Sequence, residues 1–371
     1  MTKDRRFEIF LVAVPGLEEA LCAEVRGKGF NSPRVAPGGV TIKGAWPEVW
    51  RANLWIRGAG RVLAVLASFR ARQLDELRRQ ARAVPWRDVL RRDVPFLVEA
   101  TCARSRIYHS GAAAERVASA IGEVTGAPSA PDAPVLVRVR IENDLCTLSV
   151  DTSGAPLHKR GYKEAVSRAP MRETMAALLL RQCGYDGNEP VLDPMCGSGT
   201  FVIEAAEIAA RLNPGRLRRF AFEQLATFDP AAWQRMREAS GQRVPPARSA
   251  GSDRDAGAVA IARANAERAG VGDYTDFRQC SVNQVVAPAG LPGLVIVNPP
   301  YGARLGDKRQ LHALHRALGQ TLLARFAGWR VGLVTSEPAL AQATGLPFLP
   351  PSAPVSHGGL RVTLFQTAAL P

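Results

Sequence analysis

A short run of small residues between an apolar strand and an apolar helix is the first feature of this chain that suggests ligand chemistry. The run is Asp193–Thr200, with the sequence DPMCGSGT, and the helix after it begins FVIEAA. Glycines in such a turn let the backbone approach a ligand closely, while the first amide groups of the helix point towards it. Dinucleotide-binding folds need a third glycine where this chain has Val202, so we do not expect a nicotinamide or flavin site.

A second candidate ligand-binding residue, Asp253, lies at the end of a short predicted strand, in the sequence GSDRD. A carboxylate at the end of the second strand of an α/β sheet is placed to bind both hydroxyl groups of a ribose. The alternative is that an acid here only caps the following helix, and Asp255 is the better candidate for that role. The pattern therefore favours Asp253 as a ribose ligand.

The third segment is the tetrapeptide Asn298–Tyr301, which follows the apolar strand LVIV. Two consecutive prolines cannot continue a sheet ladder, so Pro299 and Pro300 should end the strand and stiffen the chain. The Asn298 amide and the Tyr301 ring are then expected to project at the carboxyl edge. Alone, this tetrapeptide is compatible with an ordinary loop, but beside the other two segments we interpret it as part of an active site.

These segments depend on a sheet that positions them. After Pro190, apolar strands alternate with helices, which is typical of a parallel sheet covered on both faces. The predicted strands are 191–194, 249–253, 294–299, 329–336 and 361–367.

The first part of the chain has a different pattern. Strands at 7–14, 39–44 and 61–69 alternate with helices at 16–30 and 47–56, which predicts a small ferredoxin-like sandwich. Further elements are predicted at 73–84 (helix), 95–103 (strand), 111–126 (helix) and 135–153, a hairpin that turns near Asn143 and Asp144.

Composition restricts the class of protein. The chain has 371 residues, enough for two or three domains of about 150 residues each. Its 48 basic and 34 acidic residues give a net charge of +14, which favours an anionic partner such as nucleic acid. Six scattered cysteines without a CxxC pair argue against a disulfide scaffold or a cysteine zinc site. The sequence shows neither a signal peptide nor an apolar run as long as a membrane span, so we expect a soluble, cytoplasmic protein.

Together, the three segments resemble the class I S-adenosylmethionine-dependent methyltransferases that modify amino groups. A wider match, which includes LHKRGYKEAVSRAPMRETMAALLL and PGLEEAL, resembles the THUMP-domain RNA methyltransferases. Within these, the chain is similar over nearly its whole length to the RlmL-type 23S rRNA guanine-N2 methyltransferases. The resemblance implies an α/β fold with a Rossmann-like class I methyltransferase domain and an N-terminal α+β ferredoxin-like and THUMP RNA-binding region.

The same resemblance implies four domains along the chain. They are a ferredoxin-like domain at 1–68, a THUMP-like RNA-binding domain at 69–155, a helical connector at 156–189 and the methyltransferase domain at 190–371.

The resemblance also assigns roles to individual residues. The implied catalytic residues are Asn298, Pro299, Pro300 and Tyr301. The residues expected to contact the cofactor, S-adenosyl-L-methionine, are Asp193, Met195, Cys196, Gly197, Gly199, Thr200, Asp253, Arg254, Ser281 and Asn298. Ser281 stands where the family commonly has an acid for the adenine amino group, and a hydroxyl accepts that hydrogen bond more weakly. We interpret a basic stretch with one aromatic ring as an RNA or active-site contact, formed by Lys159, Arg160, Tyr162, Lys163 and Arg172.

The implied reaction is methyl transfer from S-adenosylmethionine to the exocyclic N2 amine of a guanine in 23S rRNA, by a monomer that needs neither metal nor membrane. A THUMP-type tRNA guanine-N2 methyltransferase and a non-catalytic RNA-binding assembly factor are the alternatives. The Asn-Pro-Pro-Tyr signature also serves N6-adenine DNA and release-factor glutamine methyltransferases, although the THUMP-like region argues against both.

Two further groups of residues have alternative explanations. His312 and His315 have helical spacing but no third metal ligand, which favours surface or core packing. The RLRR run at 216–219 is equally compatible with a solvated face and with an RNA contact.

Overall fold

The computed structural model describes residues 6–164, 171–239, 241–300 and 308–371. The chain divides into two compact units. Unit 1 comprises Met1–Ala13, Leu21–Leu157 and Arg218–Ala239, and unit 2 comprises Val14–Ala20, His158–Leu217 and Ser240–Pro371.

Fourteen strands are present in the described residues. They are β1 (Phe7–Val12), β2 (Arg34–Ala36), β3 (Gly39–Gly44), β4 (Arg61–Arg70), β5 (Phe96–Ala103), β6 (Val135–Glu142), β7 (Leu145–Asp151), β8 (Val191–Asp193), β9 (Ser249–Asp253), β10 (Thr275–Gln279), β11 (Leu294–Val297), β12 (Arg330–Thr335), β13 (Val355–His357) and β14 (Leu360–Gln366).

The same residues contain ten α-helices. They are α1 (Glu18–Gly27), α2 (Trp46–Trp55), α3 (Leu74–Arg82), α4 (Ser110–Thr125), α5 (Glu173–Gln182), α6 (Thr200–Ala209), α7 (Pro230–Glu238), α8 (Ala256–Arg268), α9 (Lys308–Arg325) and α10 (Pro338–Ala343). None of the helices described is long and apolar enough to cross a membrane.

Unit 1 contains one seven-stranded sheet with the order β2-β3-β1-β4-β7-β6-β5. Its first four strands have the ferredoxin-like arrangement, and alternate residues such as Ile9 and Leu11 are buried on one face. The sequence predicted three strands here, whereas the structure adds the three-residue edge strand β2. Strand β4 continues past the expected domain boundary at residue 68, because it pairs with β1 on one side and with β7 on the other.

Residues 218–239 correct the expected extent of the methyltransferase domain, because they belong to unit 1. Their aromatic rings form a cluster with Trp50 of α2: Phe222 stacks on it with ring centroids 6.1 Å apart, and Trp233 packs edge-on against Phe222 at 5.0 Å. The Arg218 guanidinium donates to the carbonyls of Ser153 and Pro156 at 3.1 and 2.8 Å. This insertion is therefore part of the core of unit 1.

Unit 2 contains the second sheet, with the order β10-β9-β8-β11-β12-β14-β13. Strands β8 to β12 are parallel, and β14 runs antiparallel between β12 and β13. The α/β class expected for this region is confirmed, with β10 and β13 added to the predicted strands. From β8 the sheet proceeds to β9 on one side and to β11 on the other. Ligands of doubly wound sheets bind at such a switch point, beyond the carboxyl ends of the strands.

Candidate functional site

The loop between β8 and α6 begins the site at this switch point. Gly197 and Gly199 have φ angles of 52° and 85°, in the left-handed region that disfavours side chains with a Cβ. A Cβ on Gly199 would also lie 3.1 Å from the Ala262 Cβ and 3.2 Å from the Phe277 ring. The backbone conformation and the lack of space explain why the sequence has glycine here, and α6 begins directly afterwards at Thr200.

Asp253 connects this loop to the end of β9. Its Oδ2 accepts from the Gly197 amide at 3.0 Å, and its Oδ1 accepts from the Asp255 amide at 3.0 Å. Asp255 caps α8 by accepting from the Gly257 amide at 2.8 Å, as the sequence suggested. An ionised carboxylate has about four lone-pair positions, so Asp253 retains acceptor capacity for two ligand hydroxyl groups.

Asp193 is a buried carboxyl group at the carboxyl end of β8. Its pKa is raised from 3.8 to about 8, chiefly because the carboxyl group is buried; the hydrogen bond from the Met195 amide opposes this shift, and the charge of Asp253 adds to it. A carboxyl group in this state holds its proton at neutral pH until a cation or a further donor approaches. Asp193 can therefore respond electrostatically to a positively charged ligand.

The other residues expected to contact the cofactor differ in exposure. Cys196 is buried, which raises the pKa of its thiol, so this residue is no ready nucleophile. Met195 is half-buried against the core cluster that contains Val297. Arg254 is exposed, and its carbonyl accepts from the Gln279 amide at 3.2 Å.

Ser281, which is expected from the sequence to contact the adenine amino group, caps a short 3-10 turn at 282–284. Its Oγ lies 2.8 Å from Gln284 Oε1 and 2.5 Å from Asn283 Oδ1. The single hydroxyl proton is used within the turn, and the oxygen keeps its lone pairs for accepting. A hydrogen bond from a ligand amino group is compatible with this geometry.

Asn298 follows β11, whose four residues are all buried. Its side-chain oxygen Oδ1 is buried and has no hydrogen-bond partner within the described part of the chain. Pro299 is buried and Pro300 half-buried, whereas Tyr301 lies outside the described residues. Because a buried polar atom without a partner is costly, the Asn298 oxygen is the clearest sign of a missing ligand donor in this site.

Comparison with known families agrees with this geometry. A family model described as an RMKL-like methyltransferase domain matches residues 160–347, which is half of the chain. The chain belongs to the RMKL-like methyltransferase family. Two further models match an RlmL ferredoxin-like domain at residues 8–63 and a THUMP domain at residues 71–151. The resemblance and the fold class inferred from sequence are thereby confirmed.

One curated relative and two solved structures illustrate the match. The ribosomal RNA large subunit methyltransferase K/L of Legionella pneumophila (strain Lens) is 34% identical over 358 residues, which cover 92% of this chain and 50% of the relative. This chain spans about half the length of the curated relatives it matches.

Two of the solved structures that match over almost their full length illustrate the shared fold. A predicted N6-adenine-specific DNA methylase from Listeria monocytogenes str. 4b F2365 is 33% identical, with a TM-score of 0.87 over 99% of this chain and 97% of that one. SMU.472, solved in complex with SAH, is 29% identical, with a TM-score of 0.88 over both whole chains.

In this methyltransferase, the basic segment at 158–164 does not form the RNA-binding surface that the sequence predicts, because two of its side chains are buried. Arg160 is buried and forms an ion pair with the equally buried Glu204 of α6 at 3.0 Å. Tyr162 is buried in the apolar cluster beside α6, and its backbone carbonyl accepts from Arg268 at 2.7 Å. Neither side chain lies at a surface that RNA can reach, so the interpretation as RNA contacts is corrected for both.

Lys163 has a different position from these two. Its Nζ lies 2.9 Å from Glu173 Oε1 at the start of α5 and 2.9 Å from Thr200 Oγ1 at the start of α6. Lys163 therefore holds Thr200 in place at the end of the glycine loop, so its role is to position this part of unit 2. Lys159 and Arg172 are exposed, and their RNA contacts stay a prediction.

His315 and Arg216, from the two other groups of residues considered in the sequence analysis, make contacts within unit 2. His315 is buried, and its Nδ1 lies 2.9 Å from the Leu311 carbonyl, so it is a core residue as expected. Arg216 contacts Glu207 at 2.6 Å, which makes this part of the RLRR run structural.

Sequence reasoning missed the buried glutamates of α6. Helical spacing brings three polar residues of α6 to one face, namely Thr200, Glu204 and Glu207. Each of them contacts a basic side chain, in the pairs Thr200–Lys163, Glu204–Arg160 and Glu207–Arg216. Two glutamates within the apolar run FVIEAAEIAA were the available signal, because buried acids need cationic partners.

Proposed function

We propose that this protein transfers a methyl group from S-adenosylmethionine to the exocyclic N2 amine of a guanine in 23S rRNA. The observation that carries the proposal is the buried Asn298 oxygen beside the loop Asp193–Thr200, which has no hydrogen-bond partner among the residues that the structure describes. The N–H groups of an amine can supply the hydrogen bond that this acceptor lacks. Membership of the methyltransferase family and the names of its rRNA methyltransferase relatives support the same reaction.

The residues of the carboxyl edge fit the cofactor. Asp253 offers the ribose hydroxyl groups its remaining lone pairs, and the glycine loop allows close backbone approach. Ser281 offers an acceptor for the adenine amine, and Asp193 can give up its proton to pair with a cationic ligand. When bound, S-adenosylmethionine supplies an electrophilic methyl group on its sulfonium.

Asn298 and Pro299 orient the amine for reaction. The lone pair of an exocyclic guanine amine is delocalised into the ring, so the nitrogen is a poor nucleophile. Hydrogen bonds to the Asn298 oxygen and the Pro299 carbonyl favour a pyramidal nitrogen with its lone pair directed at the methyl group. This alignment contributes most of the rate enhancement, and the proton leaves as positive charge develops on nitrogen. The base must first leave its stack to enter the site.

The substrate class rests on the N-terminal region and on charge. A THUMP domain and a net charge of +14 favour RNA over DNA or protein. The rival RNA substrate is tRNA, methylated at guanine N2 by the same site. The Listeria relative named as a DNA methylase makes DNA a control in the assay.

The test is transfer of tritiated methyl groups to separated rRNA, tRNA and DNA from a strain that lacks this gene. Nuclease digestion and mass spectrometry then identify the methylated base. We expect label in 23S rRNA as N2-methylguanine. Label in tRNA but not in 23S rRNA would transfer the proposal to the tRNA reaction, and label in no nucleic acid would refute it.

The Asn298→Ala variant tests the site itself. It should lose about 100- to 1,000-fold in kcat, the usual loss for one preorganised transition-state contact, while cofactor affinity falls by no more than a few-fold because nine other residues are expected to contact the cofactor. Asn298→Asp keeps an oxygen acceptor in the same place and should retain measurable turnover. If the alanine variant turns over within a few-fold of the wild type, Asn298 does not orient the amine.

A further inference from the structure

Unit 1 has a basic surface at one end of its sheet. Strands β4, β5 and β6 end there and β7 begins there, because Arg70 and Glu142 both pair with Leu145, and Ala103 pairs with Glu142. We call this surface the sheet-end patch. Its exposed members are Arg70, Arg72, Arg104, Arg106, Tyr108 and Arg140.

Tyr108 is the most exposed large apolar side chain of the described residues, with 82% of its surface accessible. It lies in the loop between β5 and α4, beside the buried Ile107. Aromatic side chains ordinarily bury about 150–250 Å² each, so a ring this exposed is available to a partner.

The loop that presents Tyr108 is held in place from behind. The Arg106 amide donates to Asp144 Oδ1 at 2.8 Å, and the Ser105 hydroxyl accepts from the Asp144 amide at 3.0 Å. The same hydroxyl donates to the Ala103 carbonyl at 2.7 Å. Because these contacts join the loop to the β6–β7 hairpin turn, the ring is presented on a preorganised backbone, which lowers the entropy lost on binding.

The charges of the patch are unbalanced. Arg104 and Arg140 share one acid, Glu142, while Arg72 lies 3.4 Å from Asp144 and its amide donates to Glu76. Arg70 and Arg106 form no ion pair with any residue that the structure describes. Five arginines thus face three carboxylates on an exposed surface, which favours an anionic partner.

The partner must combine negative charge with a flat apolar group. Phosphates meet arginines, and every nucleobase has a face that stacks on an aromatic ring. We propose that the sheet-end patch binds a single-stranded RNA segment with one unpaired base stacked on Tyr108. This inference rests on the proposed RNA substrate, because it names the part of unit 1 that holds it.

The experiment measures binding of the full chain to a short fluorescein-labelled single-stranded RNA of mixed sequence, by anisotropy, and to a perfectly paired hairpin of the same length. Tyr108→Ala should bind the single strand about tenfold more weakly, near the lower end for loss of one stacked base. Tyr108→Phe keeps the ring and should bind as the wild type does. Arg106→Ala should reduce the slope of log affinity against log salt by about 0.7, the value for one phosphate contact on a single strand.

Matched controls separate these effects from general changes. Leu291→Ala removes another highly exposed apolar side chain, and Arg235→Ala removes an exposed arginine of unit 1 on α7. Both should leave RNA affinity unchanged. Because Tyr108 is exposed, its variants should also melt at nearly the wild-type temperature.

Several results would overturn the inference. They are equal affinity of the wild type and Tyr108→Ala for the single strand, an equal loss on the hairpin, or no RNA binding by the wild type. Binding of an acidic protein in place of RNA would do the same. Methyl transfer is scored separately: rRNA methylation with no effect of Tyr108→Ala on binding rejects only this inference. Failure to methylate any RNA rejects the proposed function even where binding depends on Tyr108.

Discussion

The charged groups around α6 in unit 2 and those of the sheet-end patch in unit 1 are similar in type but opposite in environment. Around α6, Arg160, Lys163 and Arg216 each meet a glutamate that is buried or nearly so. In the sheet-end patch, arginines outnumber acids and lie in solvent.

This difference shows that basic composition alone does not locate an RNA-binding surface. A buried charge needs its partner, so removing either one destabilises the fold, and a group already paired in this way is not available to phosphate. An exposed charge contributes little to stability but is available to a ligand. Variants of the first region should therefore change stability and cofactor binding, and variants of the second should change RNA affinity.

The largest effect is expected for Arg160→Ala. It leaves Glu204 buried without its cation, which costs about 3–5 kcal/mol of unfolding free energy. Urea denaturation would measure the loss. The double variant Arg160→Met, Glu204→Leu should recover most of it, because no charge is then left unpaired. Equal stability of Arg160→Ala and the wild type would contradict this prediction.

A smaller effect is expected for Asp253→Ala. The variant removes the acceptor for two hydroxyl groups and releases the Gly197 amide, so cofactor affinity should fall by about 1.5–3 kcal/mol, the value of a hydrogen bond to a charged group. Calorimetric titration with S-adenosylhomocysteine measures it. Asp255→Ala, which removes only the helix cap, is the matched control. Equal affinities for wild type and Asp253→Ala would exclude the ribose role.

The smallest effect concerns Asp193 and pH. Because its pKa in the folded protein is raised from 3.8 to about 8, the folded state binds the proton more tightly than the unfolded state does. Its contribution to stability is therefore largest at low pH and falls as pH rises through that window.

Asparagine mimics the neutral acid, so Asp193→Asn provides the reference. Between pH 6 and pH 7 the wild type should lose up to about 1.4 kcal/mol relative to this variant, the limit for one proton. Denaturation curves at several pH values test this. If the two stabilities change in parallel, Asp193 is ionised in the folded protein.

Much of the fold could be predicted, and the strands that were missed share a cause. β2, β10 and β13 are all edge strands, each paired on one side only. β2 and β13 have three residues, and β10 alternates buried Thr275 and Phe277 with polar side chains. A continuous apolar run identifies a buried strand in the sequence, but an edge strand needs no such run.

The functional residues also fall into two groups, those that the sequence could locate and those that it could not. Asp193, Asp253 and Asn298 could be located because each depends on its own strand end, a local feature of the sequence. The pairing of Arg160 with Glu204 joins residues 44 positions apart, and the exposure of Tyr108 depends on how its loop is held. Both follow from tertiary packing, so a basic stretch and a lone tyrosine could not be distinguished by composition.

The insertion at 218–239 also determines the order in which the protein can be completed during translation. Phe222 and Phe228, whose rings contact Trp50 of α2, are synthesised more than a hundred residues after it. The ribosome must therefore produce the glycine loop and α6 before the aromatic core of the first unit can close. Until residue 239 has emerged, Trp50 lacks these partners, and the nascent chain presents an apolar surface on which a chaperone can act.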